Sequence, residues 1–423
     1  MPSNRDNHNL LHNYKGSIPI FLDKEVHLEQ MLGNGSFCTA WTIDKIELSR
    51  SERAQRLPHQ EKHHALKEQI KKVNMISSRR KKGSSLRCIV KKPRTDFLAN
   101  INNGGRMLKD LKNELKILYK VGTGEHPNII QLHGIGTPST TIVESDSDIS
   151  TSNSEEDHHS GLTFLPSFLI LSQIQYTVED MIGQWKNQRG LGIFQALSLD
   201  QDNTRQLWAE RLTVVARVAD ALEYLQKHRV ILRDLKPENV GVDFHGVVKV
   251  FDFGLARQID KKRHEKTSKF DLSGKTGTLR YMAPEVYKCK KYGYSADVFS
   301  LAIFTYEVLS LKAAFLNLST HTYGQRVCER GLRPSMEAAW PLRVRDLLQH
   351  MWLADPELRL IAAEVAKSLS KILKGDDQDL YPSALFSKTR WFPGRQLEDS
   401  PSNIPMADET SEATLELLKP EST

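Results

Sequence analysis

The stretch Val230 to Arg257, VILRDLKPENVGVDFHGVVKVFDFGLAR, limits what this 423-residue chain can fold into more than any other. Two β-branched runs flank a turn at Gly246, which predicts a tight strand pair ending at Asp252-Phe253-Gly254. Upstream, an apolar turn sets Asp234 and Asn239 five residues apart. Two carboxylates and an amide therefore converge at one strand end. Asp252 and Asn239 offer hard oxygen ligands of the kind a small divalent cation takes, and a second carboxylate is left to receive a proton. Singly, such residues are ordinary caps and turn formers. Three in register around a strand pair define a site.

The rest of the chain divides by period and composition. Residues 1–23 are polar and turn-forming, without a sustained period, and read as a loose leader. From Glu25, EVHLEQMLGNGSFCTAWTIDKIEL places period-2 apolar residues on both sides of a Gly-rich turn, which predicts a hairpin. Residues 49–85 form a basic insertion in which Ala65, Leu66, Gln69, Ile70 and Val73 follow helical spacing. LRCIVKKP predicts a short strand, and Leu108, Leu111, Leu115 and Leu118 mark a helix. A second insertion, residues 144–161, holds six acids and no Lys or Arg, a composition that cannot bury a core. FLILSQI predicts a buried strand, and from Leu212, Val215, Ala216, Ala219 and Leu222 onward helical patterns dominate to Lys374. The fold class expected is α+β: a small β-rich lobe over 24–171, a hinge at 172–176, a larger mainly α-helical lobe over 177–374, and an acidic tail over 375–423.

The spaced set Arg233-Asp234-Leu235 to Asn239, Asp252-Phe253-Gly254 and Ala283-Pro284-Glu285 resembles the catalytic domain of eukaryotic protein kinases, across roughly residues 24–374. That resemblance implies a bilobal kinase-like fold that takes ATP and Mg²⁺ and phosphorylates protein Ser or Thr. It implies that Asp234 receives the substrate proton, that Lys236 of the D-L-K-P-E-N loop sits near the transferred phosphate, and that Asn239 and Asp252 hold the metal. The Gly-rich turn, Leu32, Gly33, Asn34, Gly35 and Ser36, together with Ala40, is expected over the nucleotide, with Leu171 at the gatekeeper position and Ser172 to Ile174 at the hinge. For the nucleotide lysine, Lys91 in a turn-bounded strand is favoured over Lys67 in HALK, because it lies 23 residues before its expected partner Glu114 rather than 47. The family also implies a pair between Glu285 and Arg359. An arginine before the catalytic Asp can pair with a phosphate, so a phosphosite facing Arg233 is expected among Thr267, Ser268, Thr276 and Thr278, with contact of Thr278 to Asp234 and Lys236 as an unmodified hydroxyl the alternative. Three positions depart from type: Leu232 replaces the His of H-R-D, Cys38 the third glycine, and Ala40 a Val. A pseudokinase scaffold binding partners through the insertions is the alternative reading.

Composition bears mainly on partners. The net charge is +7, and residues 61–92 alone carry eleven Lys or Arg against two acids. The basic excess is thus a local element, and its SRRKK run has no interleaved aromatic for base stacking, so nucleic acid is not the expected partner. Four cysteines without a C-x-x-C pair give no zinc or disulfide framework. No apolar run is long enough to span a bilayer, and the expected location is cytoplasmic or nuclear. A protein substrate and an upstream kinase or autophosphorylation are the expected partners.

Overall fold

The computed structural model describes residues 18–35, 38–47, 87–94, 101–137, 166–195, 201–337 and 340–374. The basic insertion with Lys67, the acidic insertion, the tail and Ser36 lie outside these residues.

The first lobe is a twisted sheet with one long helix. Its strands are β1 (Ile20–Leu22), β2 (Val26–Asn34), β3 (Cys38–Ile46), β4 (Cys88–Pro93), β5 (Leu132–Thr137) and β6 (Phe168–Ser172), in spatial order β1-β5-β6-β4-β3-β2. All neighbours are antiparallel except β1, which pairs parallel to β5. The Gly-rich hairpin joins β2 and β3 as expected. Helix α1 (Ile101–Val121) buries Leu111, Leu115 and Leu118, the face its leucine spacing predicted.

Strand β1 corrects the reading of residues 1–23 as leader. Phe21 is 0% exposed, and Gly134 has no side chain because a Cβ there would lie 2.7 Å from the Phe21 ring. Three residues are too few to show a period, so only the partner strand reveals them.

The chain passes to the second lobe at Gln173. Strand β7 (Ile174–Thr177) already pairs with the second lobe, in a sheet ordered β10-β9-β7 with β9 (Val240–Asp243) and β10 (Val248–Val250), while β8 (Val230–Ile231) pairs separately with Arg257–Gln258. The connection between lobes is therefore shorter than the expected 172–176, because backbone groups there are satisfied by pairing with β9. Helices α2 (Val178–Gln195), α3 (Gln201–Lys227), α4 (Ser295–Ser310), α5 (Leu342–Met351) and α6 (Ala362–Leu373) supply the bulk of the second lobe. Helix α4 is buried nearly all round, which its apolar run SLAIF requires. One core cluster runs from α1 and β6 through α3 and α4 to α6, so both lobes share it. The arrangement is the bilobal α+β fold of protein kinases, β-rich first and helical second.

Candidate active site

Strand register brings the first-lobe residues together. Gly33 pairs with Ala40, Ala40 with Lys91, and Lys91 with Leu169. Directly paired residues project to the same sheet face, so these form one row across the underside of the sheet. Ile89 and Leu171 pair on the same face. Leu171, 3% exposed, belongs to the core cluster shared with the second lobe. Asn34 pairs with Thr39, one step out of the row, and so presents its backbone rather than its side chain. Leu32 sits at a register irregularity and is 45% exposed. Lys92 points to the outer face, its Nζ 5.5 Å from the Trp41 ring. Ser172 faces away as well, its hydroxyl 2.8 Å from His133 Nε2.

Lys91 Nζ donates to Glu114 Oε2 at 2.7 Å and to Asp252 Oδ1 at 2.9 Å. Burial alone would lower its pKa, but the charges of Asp252 and then Glu114 outweigh that and hold it above the ordinary lysine range. The same Lys91 charge pulls the Asp252 carboxyl below its ordinary range. Burial pushes the Glu114 carboxyl up, with Lys91 opposing. The three groups form one charge network, with Glu114 buried at its base and Asp252 open to the cleft. The Cys38 thiol lies close enough to feel Lys91, yet burial dominates and pushes it up to about 11. It is a neutral side chain where the family pattern has glycine.

Helix α1 is tied to the Asp252 turn by two successive residues. Glu114 Oε1 accepts from the Phe253 N–H at 3.3 Å. Asn113 Nδ2 donates to the carbonyls of Gly254 at 2.9 Å and Ala256 at 2.8 Å, with Phe253 O at 3.4 Å. Sequence reasoning missed Asn113, since its partners are backbone atoms that carry no residue-type signal. Its position beside Glu114 is the only hint. Asp252 itself holds φ +65°, the left-handed region, which turns its carboxylate toward Lys91.

On the second-lobe side, Asp234 is fixed by neighbours. Thr278 donates to its Oδ1 through N–H at 2.8 Å and through Oγ1 at 2.7 Å. Asn239 Nδ2 donates to Asp234 O at 2.9 Å and to Oδ2 at 3.1 Å. Lys236 Nζ donates to Thr278 Oγ1 at 3.1 Å and stands 3.6 Å from Asp234 Oδ2. Thr278 is therefore a hydroxyl bridge between the acid and the lysine. The backbone N–H groups of Leu232 and Arg233 both donate to the Asp297 carboxylate, at 2.7 and 2.8 Å. Burial pushes Asp297 up to about 6 against those two donors. Leu232 and Phe253 are both fully buried in the shared core, so apolar packing takes the place of a histidine. Glu285 and Arg359 form a buried bidentate pair at 2.6 and 2.8 Å.

Arg233 Nη1 reaches Ser273 Oγ at 2.9 Å. The residue facing this arginine is thus Ser273 rather than Thr267, Ser268, Thr276 or Thr278. Thr276 Oγ1 lies 3.0 Å from Ser273 Oγ, at the edge of the same pocket. A loop folded back on itself changes which hydroxyl faces the guanidinium, and linear spacing does not encode that.

Comparison with known proteins agrees with this geometry. The family described as protein kinase domain matches residues 193–369. Serine/threonine-protein kinase STY17 of Arabidopsis thaliana is 30% identical over 276 residues, 64% of this chain and 39% of that protein. Serine/threonine-protein kinase STY46 of the same plant is 34% identical over 161 residues, 38% of this chain and 27% of that protein. Ephrin type-B receptor 3 of Xenopus laevis is 26% identical over 268 residues, 63% of this chain and 23% of that protein. The chain thus spans well under half the length of these relatives. With its two lobes, its Lys91, Asp234 and Asp252 cleft and residues 193–369 matched to the protein kinase domain, the chain is similar to eukaryotic protein kinases.

Proposed function

We propose that this domain transfers the γ-phosphoryl of ATP to a Ser or Thr hydroxyl of a protein substrate. The observation that carries the reading is the joining of both halves of the cleft. Lys91 and Glu114 of the first lobe contact Asp252, while Asp234, Lys236 and Asn239 are held together by Thr278 below. A pseudokinase would be expected to have lost one of these, and none is missing. The names of the Arabidopsis relatives and the D-L-K-P-E-N loop favour Ser/Thr over Tyr.

The donor set fits Mg²⁺. Asp252 is 46% exposed to the cleft, and the Asn239 amide, whose Nδ2 is taken by Asp234, leaves its oxygen as the second ligand the resemblance implies. Among the described residues no cluster of three His, Cys, Asp or Glu side chains could hold a metal alone. A cation held by one carboxylate and one amide completes its shell with phosphate oxygens and water, as Mg²⁺ does. When bound, the ion would neutralise charge on the transferring phosphoryl. The row of Gly33, Ala40 and Lys91 leaves the nucleotide phosphates room beneath the hairpin, since nothing lies within 4 Å of a Cβ built on Gly33. Lys91 would then face phosphate oxygens, while the Ser172 and Gln173 N–H groups are already engaged by Gln131 O and Arg87 O. Asp234 Oδ1 is saturated by Thr278, so Oδ2 receives the substrate proton as the new oxygen–phosphorus bond forms and the bond to the ADP oxygen breaks. Lys236, beside Thr278, offsets charge on the moving phosphoryl.

Regulation follows from Arg233. A phosphate on Ser273, or on the neighbouring Thr276, added by the enzyme itself or by another kinase, would pair with its guanidinium and fix the segment after Asp252. Among the described residues no helix is long and apolar enough to cross a membrane, in keeping with a cytoplasmic or nuclear site of action.

Transfer of labelled γ-phosphate to generic Ser/Thr substrates tests the proposal. Wild type is expected to be active, with Asp234→Asn and Lys91→Met deficient and Lys67→Met near normal. Wild-type protein as silent as Asp234→Asn across substrates, after pretreatment with activating kinases, would overturn it. Loss in Lys67→Met alone would move the nucleotide lysine.

A further inference from the structure

We infer that the protein substrate carries acidic residues on one flank of its phosphoacceptor, selected by Lys275, Lys290 and Lys291 on the rim of the cleft. The inference rests on the phosphotransfer reading for the position of the phosphoacceptor, at Asp234.

Three observations set these lysines beside that position. Thr278 is bonded to Asp234, and Lys275 precedes it by three residues, so their Cα atoms are at most about 11 Å apart. The segment is pressed against the catalytic loop, because a Cβ on Gly277 would lie 2.2 Å from Arg233 O. The loop after Pro284–Tyr287 runs alongside: Lys275 N–H donates to Val286 O at 2.9 Å, and a Cβ on Gly274 would lie 2.7 Å from Cys289 Cα. Lys275, Lys290 and Lys291 thus gather on one rim.

None of the three forms an ion pair among the described residues, although Lys275 Nζ stands 5.7 Å from the Tyr287 ring centroid. All three are exposed. The acid nearest in sequence to Lys290 and Lys291, Glu285, is buried and consumed by Arg359, and the exposed Asp271, four residues before Lys275, has no ion pair with it. Lys288 is satisfied differently, its Nζ donating to Cys328 O at 2.8 Å. At the start of α2 the charges are mixed: Glu179 lies near Asp180 and Glu238, with Arg280 and Lys236 also close by. An acidic flank is therefore attracted to the lysine rim and finds no matching excess of positive charge at α2, which makes the preference one-sided.

The test is a neutral host peptide with a single Ser, into which Glu is placed in turn at each position on both sides. We expect kcat/KM at low salt to rise about tenfold for Glu pairs on one flank only, and the gain to shrink at high salt. Lys290→Glu/Lys291→Glu should reverse the preference toward Lys while phosphorylating the neutral host at the wild-type rate. Lys290→Gln/Lys291→Gln should abolish the preference without reversing it. Equal rates for all peptides, or a preference unmoved by either variant, would overturn the inference and leave the kinase reading intact. If no peptide is phosphorylated, the kinase reading fails, and binding of fluorescent acidic and basic peptides to Asp234→Asn protein decides the lysine rim separately. Tighter binding of the acidic peptide, lost in the charge-reversed variant, supports it, and equal binding overturns it.

Discussion

The two walls of the cleft are held by different physics. Around Asp234 the partners Lys236, Asn239 and Thr278 all come from residues 234–278, joined by hydrogen bonds and backed by the buried Asp297 and the Glu285–Arg359 pair. Around Lys91 the partners lie 23 and 161 residues away in sequence and are joined by charge. The lower wall is built from one lobe, whereas the upper wall exists only when α1, β4 and the Asp252 turn meet. Asn113 and Glu114 make that meeting, gripping the turn by its carbonyls and its Phe253 N–H. Assembly of the upper wall is thus a property of the contact between the lobes, whereas the lower wall is held within the second.

Variants that separate the two walls would break or sharpen this contrast. Arg359→Ala leaves Glu285 buried and unpaired, and should cost about 3–5 kcal/mol of stability. Denaturant unfolding should show it, and a loss below ~1 kcal/mol would mean the lower wall does not depend on the pair. Glu114→Gln should leave stability near wild type while reducing kcat/KM about 100-fold, because Lys91 loses its charged partner (a loss of ~2.7 kcal/mol in transition-state stabilisation). If instead it unfolds the protein, the walls are not distinct. Asn113→Ala removes two good hydrogen bonds to the Asp252 turn, worth about 2 kcal/mol together, or roughly 30-fold in kcat. Nucleotide affinity without metal should hold while the Mg²⁺ needed for half-maximal rate rises, and Asn113→Gln, which keeps the donor, should recover part of the loss. A fall in metal-free affinity equal to the fall in kcat would argue for general disruption.

The smallest effect concerns pH. Burial pushes the His133 imidazole down to about 4, with the charge of Lys249 adding to it. The folded state therefore resists protonation that the unfolded chain accepts near pH 6.5, so stability present above that pH is lost as pH falls toward 4. Between pH 7 and 5 this amounts to about 1.5 kcal/mol. The buried Asp297, pushed up to about 6, works in the opposite sense over the same range. His133→Gln should therefore lose less stability than wild type on acidification, by about that amount. Equal acid slopes in the two proteins would show that His133 is hydrated.

Much of the architecture was legible because it repeats. The leucines of α1 recur at three- and four-residue steps, and the runs flanking Gly246 alternate with period two, so both elements and the lobe order could be read ahead of the structure. Residues that act through side chains of fixed chemistry, such as Asp234 and Asp252, were legible too. What escaped depends on tertiary pairing. β1 has three residues and no period, Asn113 speaks only to carbonyls, and Ser273 faces Arg233 because of a loop path no spacing rule describes. The lobe crossing at Gln173 was blurred for the same reason, since β7 is a strand only by virtue of β9.

Strand β1 also bears on how the molecule behaves in a crowd. The first-lobe sheet has two edges, one at β2 beside the nucleotide hairpin and one at β5, and β1 closes the second with only three residues. Peeled away, it would leave an unpaired ladder next to an apolar slot floored by Gly134 and Ile170, a ready template for a strand from another molecule. Those three residues thus keep the ladder of β5 paired within the molecule.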